Sequence, residues 1–267
     1  MLKKILIATG FILAAVCVFF GFAFFGNPVS KALATKNAGE YLNENLPDEN
    51  YGIESVKYDF KTSDYYAEAV SPDGVDNHFT LYCDYSGKVT FSTYESAVDG
   101  KWNTAQRIND EYRKAVDEMF AAGALPYAVD ISFGDIEFAD SDLSEDEAAA
   151  DYAIINENLT LNGEYDIYET GRNAGTLTVY VSDYEVSYEK LSEILLTVKA
   201  LADKENVGFR GINCVLEYPV DETGETQKDG RAEVRFFDYD DIYEDGLVQR
   251  VKAADDEAKA YYASQDK

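Results

Sequence analysis

The chain has 267 residues and a formal net charge of −28, from 51 acidic side chains against 23 lysines and arginines; at 46% apolar and 14% aromatic it can still bury a core, which excludes a wholly disordered chain. The charge excludes a nucleic-acid binder as well, because such a protein needs a positive stripe to displace phosphate counterions. Cys17, Cys83 and Cys214 are too few and too far apart for a disulfide scaffold and lack metal-ligand spacing.

Residues 5–25 are apolar apart from Thr9, Gly10 and Gly21, and none is charged. As a helix this run would reach about 32 Å at ~1.5 Å per residue, against a hydrocarbon core of ~30 Å. Lys3 and Lys4 precede it and Gly26-Asn27-Pro28 follows, with Pro28 breaking the helix near the interface. By the positive-inside rule the N-terminus is cytoplasmic and everything after Pro28 is extracytoplasmic. A cleaved signal peptide is the competing reading, with Ala32-Leu33-Ala34 as a small-x-small triplet. The apolar run is longer than a signal core of ~7–15 residues, however, and the triplet lies beyond Pro28 and Lys31 in a new helix. A lipoprotein would need a small residue at Val16, so Cys17 reads as a membrane-buried thiol. Residues 1–28 are thus expected to be a retained single-pass anchor that meets the membrane through residues 5–25.

The remainder reads as two α+β domains of antiparallel sheet packed with helices, over residues 29–122 and 126–267. In the first, Val29 to Leu46 has helical spacing through Leu33, Ala34, Ala38, Tyr41 and Leu42, and Pro47 ends it. Alternating runs over 52–61, 64–71, 78–85 and 88–95, joined by Thr62-Ser63, Pro72-Asp73-Gly74 and Ser86-Gly87, predict a four-stranded meander. Asn103, with Gln106 three residues on, is expected to cap a second helix whose apolar stripe is Ile108, Tyr112, Ala115 and Met119. Ala121-Ala122-Gly123 closes this set.

The second domain opens with a strand over 127–138, in which Val129, Ile131 and Phe133 alternate with Asp130 and Ser132. An acidic loop from Asp140 to Asp151 leads to a short helix. A strand from Thr176 to Ser182 precedes a helix capped by Ser187 with Leu191, Ile194, Leu195, Val198 and Ala202 on one face. Strands at 209–218 and 231–238 flank a polar excursion, Pro219 to Gly230, before a C-terminal helix through Leu247, Val251, Ala254, Ala258 and Tyr261. This order predicts helices layered on one face of a sheet.

Four stretches carry a family resemblance: the anchor with Gly26-Asn27-Pro28; Lys101-Trp102-Asn103-Thr104 with Arg107; Val186-Ser187-Tyr188-Glu189-Lys190; and Asp241-Ile242-Tyr243-Glu244-Asp245-Gly246. Over nearly its whole length the chain resembles the YfjL-like proteins of Gram-positive bacteria. The resemblance implies an exported protein with separate N- and C-terminal domains and supplies no activity to transfer. Read physically, Trp102-Asn103-Thr104 is a helix cap beside a core aromatic, with Trp102 closing the sheet edge, and 241–246 is an acidic turn before the positive end of a helix.

No catalytic, cofactor-binding or metal-ligating set is assigned. The single histidine, His78, opens a strand after Asp76-Asn77 and reads as the end of a hairpin rather than a catalytic base. Cys83 and Cys214 share strand faces with apolar neighbours and read as core thiols, with an interdomain disulfide as the alternative. Asp140, Asp142 and Ser144 sit at positions 1, 3 and 5 of an EF-hand-like loop, but Glu145 replaces the required glycine and Asp151 the terminal glutamate. That stretch, and Asp238, Asp240 and Asp241, read as solvated negative surface. Asn158-Leu159-Thr160 is a formal glycosylation sequon. There is no phosphate loop or dinucleotide fingerprint.

Most of the 21 tyrosines are explained by strands, with the ring packing the sheet and the hydroxyl in water. Tyr65 and Tyr66 are adjacent, so a strand puts one ring on each face and leaves one for recognition. The expected function is a non-enzymatic, membrane-anchored extracytoplasmic protein of the bacterial envelope that binds or scaffolds an envelope protein or glycan. The alternative is an exported hydrolase, or hydrolase regulator, using acidic residues in an interdomain cleft.

Overall fold

Asn27 and Pro28 begin the first long helix. In a computed structural model that describes residues 9–10, 13, 16, 20–123, 125–140, 152–220 and 230–265, Asn27 accepts a hydrogen bond from the backbone N–H of Val29, and Pro28 takes the first helical position, where a missing N–H costs nothing. Among the described residues no helix is long and apolar enough to cross a membrane. The run 5–25 lies in large part outside them, so the expected transmembrane helix gains no support from the fold. The described chain is α+β and divides into two units, Met1–Thr104 with Leu159–Gly163, and Ala105–Asn158 with Glu164–Lys267. The division thus falls inside a helix rather than at the expected Ala121 to Pro126 connection, and five residues from the later half belong to the first unit.

In the first unit helix α1 (Pro28–Asn45) is followed by strands β1 (Gly52–Asp59), β2 (Asp64–Val70), β3 (His78–Cys83) and β4 (Val89–Ser92). They pair in sequence order, antiparallel throughout, as the short hairpin connections dictate. The inner face buries Val56, Tyr65, Ala67, Ala69, Phe79, Leu81 and Cys83 with Ala34, Ala38 and Leu42 of α1. Leu161 packs against the same cluster. Beside it Asn162 accepts from the backbone N–H of Asp76 at 2.7 Å and donates to the Asn77 side chain at 2.8 Å.

Helix α2 (Trp102–Ala122) starts in the first unit and is mostly part of the second. Asn103 is not its cap. It lies inside the helix and uses its amide as a donor, to the carbonyls of Asp76 and His78. Trp102 does not close the sheet: it is 53% exposed.

The second unit adds β5 (Ala128–Ile136), the short parallel pair β6 (Phe138–Ala139) and β7 (Ile154–Ile155), α3 (Ile167–Ala174), β8 (Gly175–Ser182), α4 (Tyr188–Glu205), β9 (Gly211–Glu217), β10 (Arg231–Asp238) and α5 (Leu247–Gln265). The main sheet has the order β10-β9-β8-β5. Its outer pairs are antiparallel, but the central β8–β9 pair is parallel, since α4 carries the chain back between them. Leu191, Ile194, Leu195, Val198 and Ala202 of α4 join Leu177, Val179, Val181, Ile212, Cys214 and Leu216 in the core.

Two bulges correct the simple alternation. In β5 the register shifts between Val129 and Ile131, which turns Ile131 and Phe133 outward, at 52% and 40% exposure, and Gly134 and Ile136 inward. In β10 the shift lies between Val234 and Phe237. Phe236 occupies the bulge with φ of 42°, its N–H held by Asn213 at 2.8 Å, its ring over Gly211 and stacked on Tyr152 at 4.3 Å.

The turn before α5 is organised by a residue the sequence reading passed over. Arg250 donates to the carbonyls of Asp241, Tyr243 and Asp245 and lies 3.7 Å over the Tyr243 ring.

Candidate functional site

Strand pairing places one residue of each N-terminal strand in a single cross-strand row. Lys57 of β1 opposes Tyr66 of β2, Tyr66 opposes Tyr82 of β3, and Tyr82 opposes Phe91 of β4. This row lies on the face opposite α1, because the neighbours Tyr65, Leu81 and Cys83 point into the core. The rings meet edge to face, Tyr66 to Tyr82 at 4.8 Å and Tyr82 to Phe91 at 5.7 Å, an arrangement favoured by their quadrupoles. Phe91 is 60% exposed at the sheet edge.

Polar groups frame the rings. Lys57 pairs with Glu68 at 3.4 Å, Ser55 donates to the same carboxylate, and the Tyr66 hydroxyl meets Asp59 and Thr62. Past Phe91 the row runs into a groove of about 420 Å³ along the edge strand, lined by Tyr41, Val89, Thr90, Phe91, Ser92, Tyr94 and Glu95. Burial first, then the Asp99 and Glu49 carboxylates, push the Tyr94 phenol up, so it stays a donor well into the alkaline range. Aromatic faces beside fixed hydroxyls and carboxylates suit a ligand with apolar C–H faces and many hydroxyls.

The second unit carries a different cluster. Asp255 of α5 is wholly buried; it accepts from the Tyr188 hydroxyl at 2.7 Å and from Lys259, and its other oxygen lies 3.4 Å from the backbone N–H of Glu233. That hydrogen bond to Asp255 is the main cause raising the Tyr188 phenol, and likewise the Lys259 ammonium. Glu233 is 8% exposed and lies between Arg231 and Arg235, both ion-paired with it. Oε2 of Glu233 is ion-paired with Arg231 but accepts no hydrogen bond among the described residues. Arg231, Glu233, Arg235, Asp255, Lys259 and Tyr262 line a pocket of about 330 Å³.

The residues singled out in the sequence are dispersed. His78 is exposed at the start of β3. Cys83 and Cys214 are free and buried, one in each unit, and burial pushes their thiols up to about 11 and about 12, which makes them poor nucleophiles. Asp140 accepts from Asn156 at 2.8 Å, while Asp142, Ser144, Glu145 and Asp151 lie outside the described residues. Asp238 accepts from the Asp240 N–H and pairs with Arg210, and Asp240 pairs with Arg172. Among the described residues no group of three or more His, Cys, Asp or Glu side chains is placed to hold a metal ion. Asn158 of the sequon is exposed at the end of a 3-10 turn whose first residue, Asn156, is buried.

Tyr65 and Tyr66 do take opposite faces: Tyr65 is 1% exposed and Tyr66 stands in the row. Tyr82 and Phe91 were missed as its partners. Tyr82 alternates with buried Leu81 and Cys83, so its strand parity already marks it as outward; Phe91 is aligned only by the register shift between Tyr82 and Cys83. Glu233 and Asp255 carry no local signal, since twenty-two positions separate them.

No curated protein and no solved structure matches the chain. The YfjL-like N-terminal domain matches residues 1–93 and the YfjL-like C-terminal domain residues 111–252. These two matches take in both the ring-bearing sheet and the sheet that holds Glu233, and the chain belongs to the YfjL-like family.

Proposed function

We propose that this is a non-enzymatic, single-pass membrane protein of the bacterial cell envelope, anchored by residues 5–25 with its N-terminus in the cytoplasm, whose N-terminal domain binds an extended glycan outside the cell. The observation that carries this reading is the row Tyr66, Tyr82 and Phe91 continuing into the groove beside Tyr94 and Glu95. Pyranose rings stack their C–H faces on aromatic side chains, and the flanking Ser55, Glu68, Asp59 and Thr90 offer partners for ring hydroxyls. The anchor rests on the uncharged run behind Lys3 and Lys4.

Among the described residues the hydrolase reading draws on Glu233 and Asp255, two buried carboxylates in one pocket of the second unit rather than in an interdomain cleft. Arg231, Arg235, Lys259 and Tyr188 already hold them, so neither is a free acid or base, and binding is preferred.

Co-sedimentation of the detergent-solubilised full-length protein with purified cell-wall glycan tests the proposal. Each ring contributes about 1 kcal/mol, so Tyr82→Ala with Phe91→Ala is expected to weaken binding about 30-fold while the melting transition is retained. A parent protein that stays in the supernatant, or a double variant that sediments as well as the parent, removes the glycan reading.

A further inference from the structure

The last turn of the N-terminal apolar run is fastened to the sheet that follows it. Residues 20–25 are helical, and this helix stops at Gly26, whose N–H reaches the Phe22 carbonyl at 3.0 Å and whose φ is 75°. A Cβ at Gly26 would stand 2.8 Å from the Tyr58 ring and 2.9 Å from the Tyr65 hydroxyl, so only glycine lets the chain pass so close. The Tyr65 hydroxyl accepts from the Asn27 N–H at 2.7 Å and donates to the Asn27 carbonyl at 3.0 Å, and the Tyr58 hydroxyl donates to the Ala23 carbonyl at 3.3 Å. Phe24 meets Phe60 with ring centroids 6.0 Å apart. Only Gly26 and Asn27 separate this helix from α1, and both are held, so there is no slack between them.

That attachment fixes the level of the β1–β2 hairpin. Ala23 and Phe24 fall within about 3 Å, at ~1.5 Å per residue, of the end of the apolar run. Phe60, in contact with Phe24, lies at the same level and is 54% exposed. The turn between β3 and β4 reaches the same end of the sheet, since Cys83 pairs with Tyr65, and it bears Tyr85 at 74% exposure. The opposite end, the β2–β3 connection over 71–77, has no aromatic residue. Phe60 and Tyr85 thus set two exposed rings at the end that carries the apolar run, as the rings of a membrane-interface belt are set, while Trp102 stands exposed beside the opposite end. Asp59 and Asp64 flank Lys61 in the hairpin, so the attraction comes from the ring and not from charge.

We propose that Phe60 and Tyr85 form a lipid-facing end of the N-terminal domain, with the β1–β2 hairpin seated in the headgroup layer of the outer leaflet. The proposal rests on residues 5–25 spanning the membrane, and goes further by placing the domain against the bilayer rather than out on a tether. The row at Tyr66, two residues into β2, then stands about 7 Å from that level at ~3.4 Å per residue.

The test uses full-length protein reconstituted into phosphatidylcholine vesicles, with Trp102→Phe as background and a tryptophan reporter at Phe60→Trp or, as a solvent reference, Val75→Trp in the 71–77 connection. The expected result is blue-shifted emission from the reporter at 60, quenched more than twofold by brominated lipid, with the reporter at 75 water-like and unquenched. Unquenched emission at 60 in protein that resists alkaline extraction overturns the lipid-facing end and leaves the span standing. Protein extracted at alkaline pH overturns the span, and this inference with it.

Discussion

The hydroxyl oxygen of Tyr112 occupies the space a side chain at Gly175 would need: a Cβ there would lie 2.6 Å from it. Gly134 and Gly171 stand against the same ring, with Cβ positions 2.8 and 2.7 Å from its carbons. Tyr112 is fully buried and its hydroxyl has no hydrogen-bond partner among the described residues. An unsatisfied buried hydroxyl costs about 1–3 kcal/mol, so Tyr112→Phe is expected to raise the unfolding free energy. Gly175→Ala should lower it by pushing a methyl into the hydroxyl. Urea denaturation of both variants measures this; a destabilised Tyr112→Phe protein would mean the hydroxyl has a partner after all.

Alkaline pH should weaken the fold through the same kind of group. Burial is the main cause pushing the Tyr51 and Tyr239 phenols up to about 12 from an ordinary 10.0, and the Cys83 and Cys214 thiols up to about 11 and about 12 from 9.0. An acid whose folded value is raised keeps its proton in the native state while the unfolded chain loses it. Stability is therefore complete below pH 9 and declines as pH climbs toward 12. In a Cys17→Ser background, a thiol reagent at pH 8 should label neither remaining cysteine until denaturant is added. Rapid labelling of the native protein would contradict the buried placement.

Asn162 offers a third check. Its φ of 59° suits asparagine and glycine, its side chain satisfies the N–H of Asp76, itself 2% exposed, and a Cβ at Gly74 would fall 2.2 Å from its amide nitrogen. Asn162→Ala should cost about 2–4 kcal/mol, from the orphaned N–H together with the left-handed backbone, and Asn162→Gly should restore about 1 kcal/mol of that. Equal losses in the two variants would show that the backbone conformation contributes nothing.

Local rules accounted for most elements. Short turns and alternation give the meander its order, and Ser187 starts α4 as the N-cap expected of it, accepting from the Lys190 N–H at 3.1 Å. What escaped has one cause in each instance. A single bulge residue in β5 reverses the facing of Ile131 and Phe133, and nothing in the alternation marks it. Asn103 has the residue type of a cap, but the carbonyls that recruit it come from a turn some twenty-five residues earlier. The return of Leu159–Gly163 to the first unit brings Leu161 against its core and Asn162 to partners more than eighty positions away. The ring row was half legible, because parity is local whereas register is a property of paired strands.

The bulge at Phe236 has a bearing on how this sheet tolerates changes in chain length. Ala232 and Val234 point into the core before it and Phe237 after it, although an unbroken strand would send the second residue past Val234 inward. Removing Phe236 would move Phe237 into that very position, so the core would keep its side chains and the pairing with β9 would become regular. What would vanish is the ring over Gly211, the platform beneath Tyr152 and the acceptor role of Asn213. Phe236 thus behaves as a one-residue insertion that decorates the outside of the sheet without disturbing its interior, and a family member lacking it could share the same frame with a barer surface.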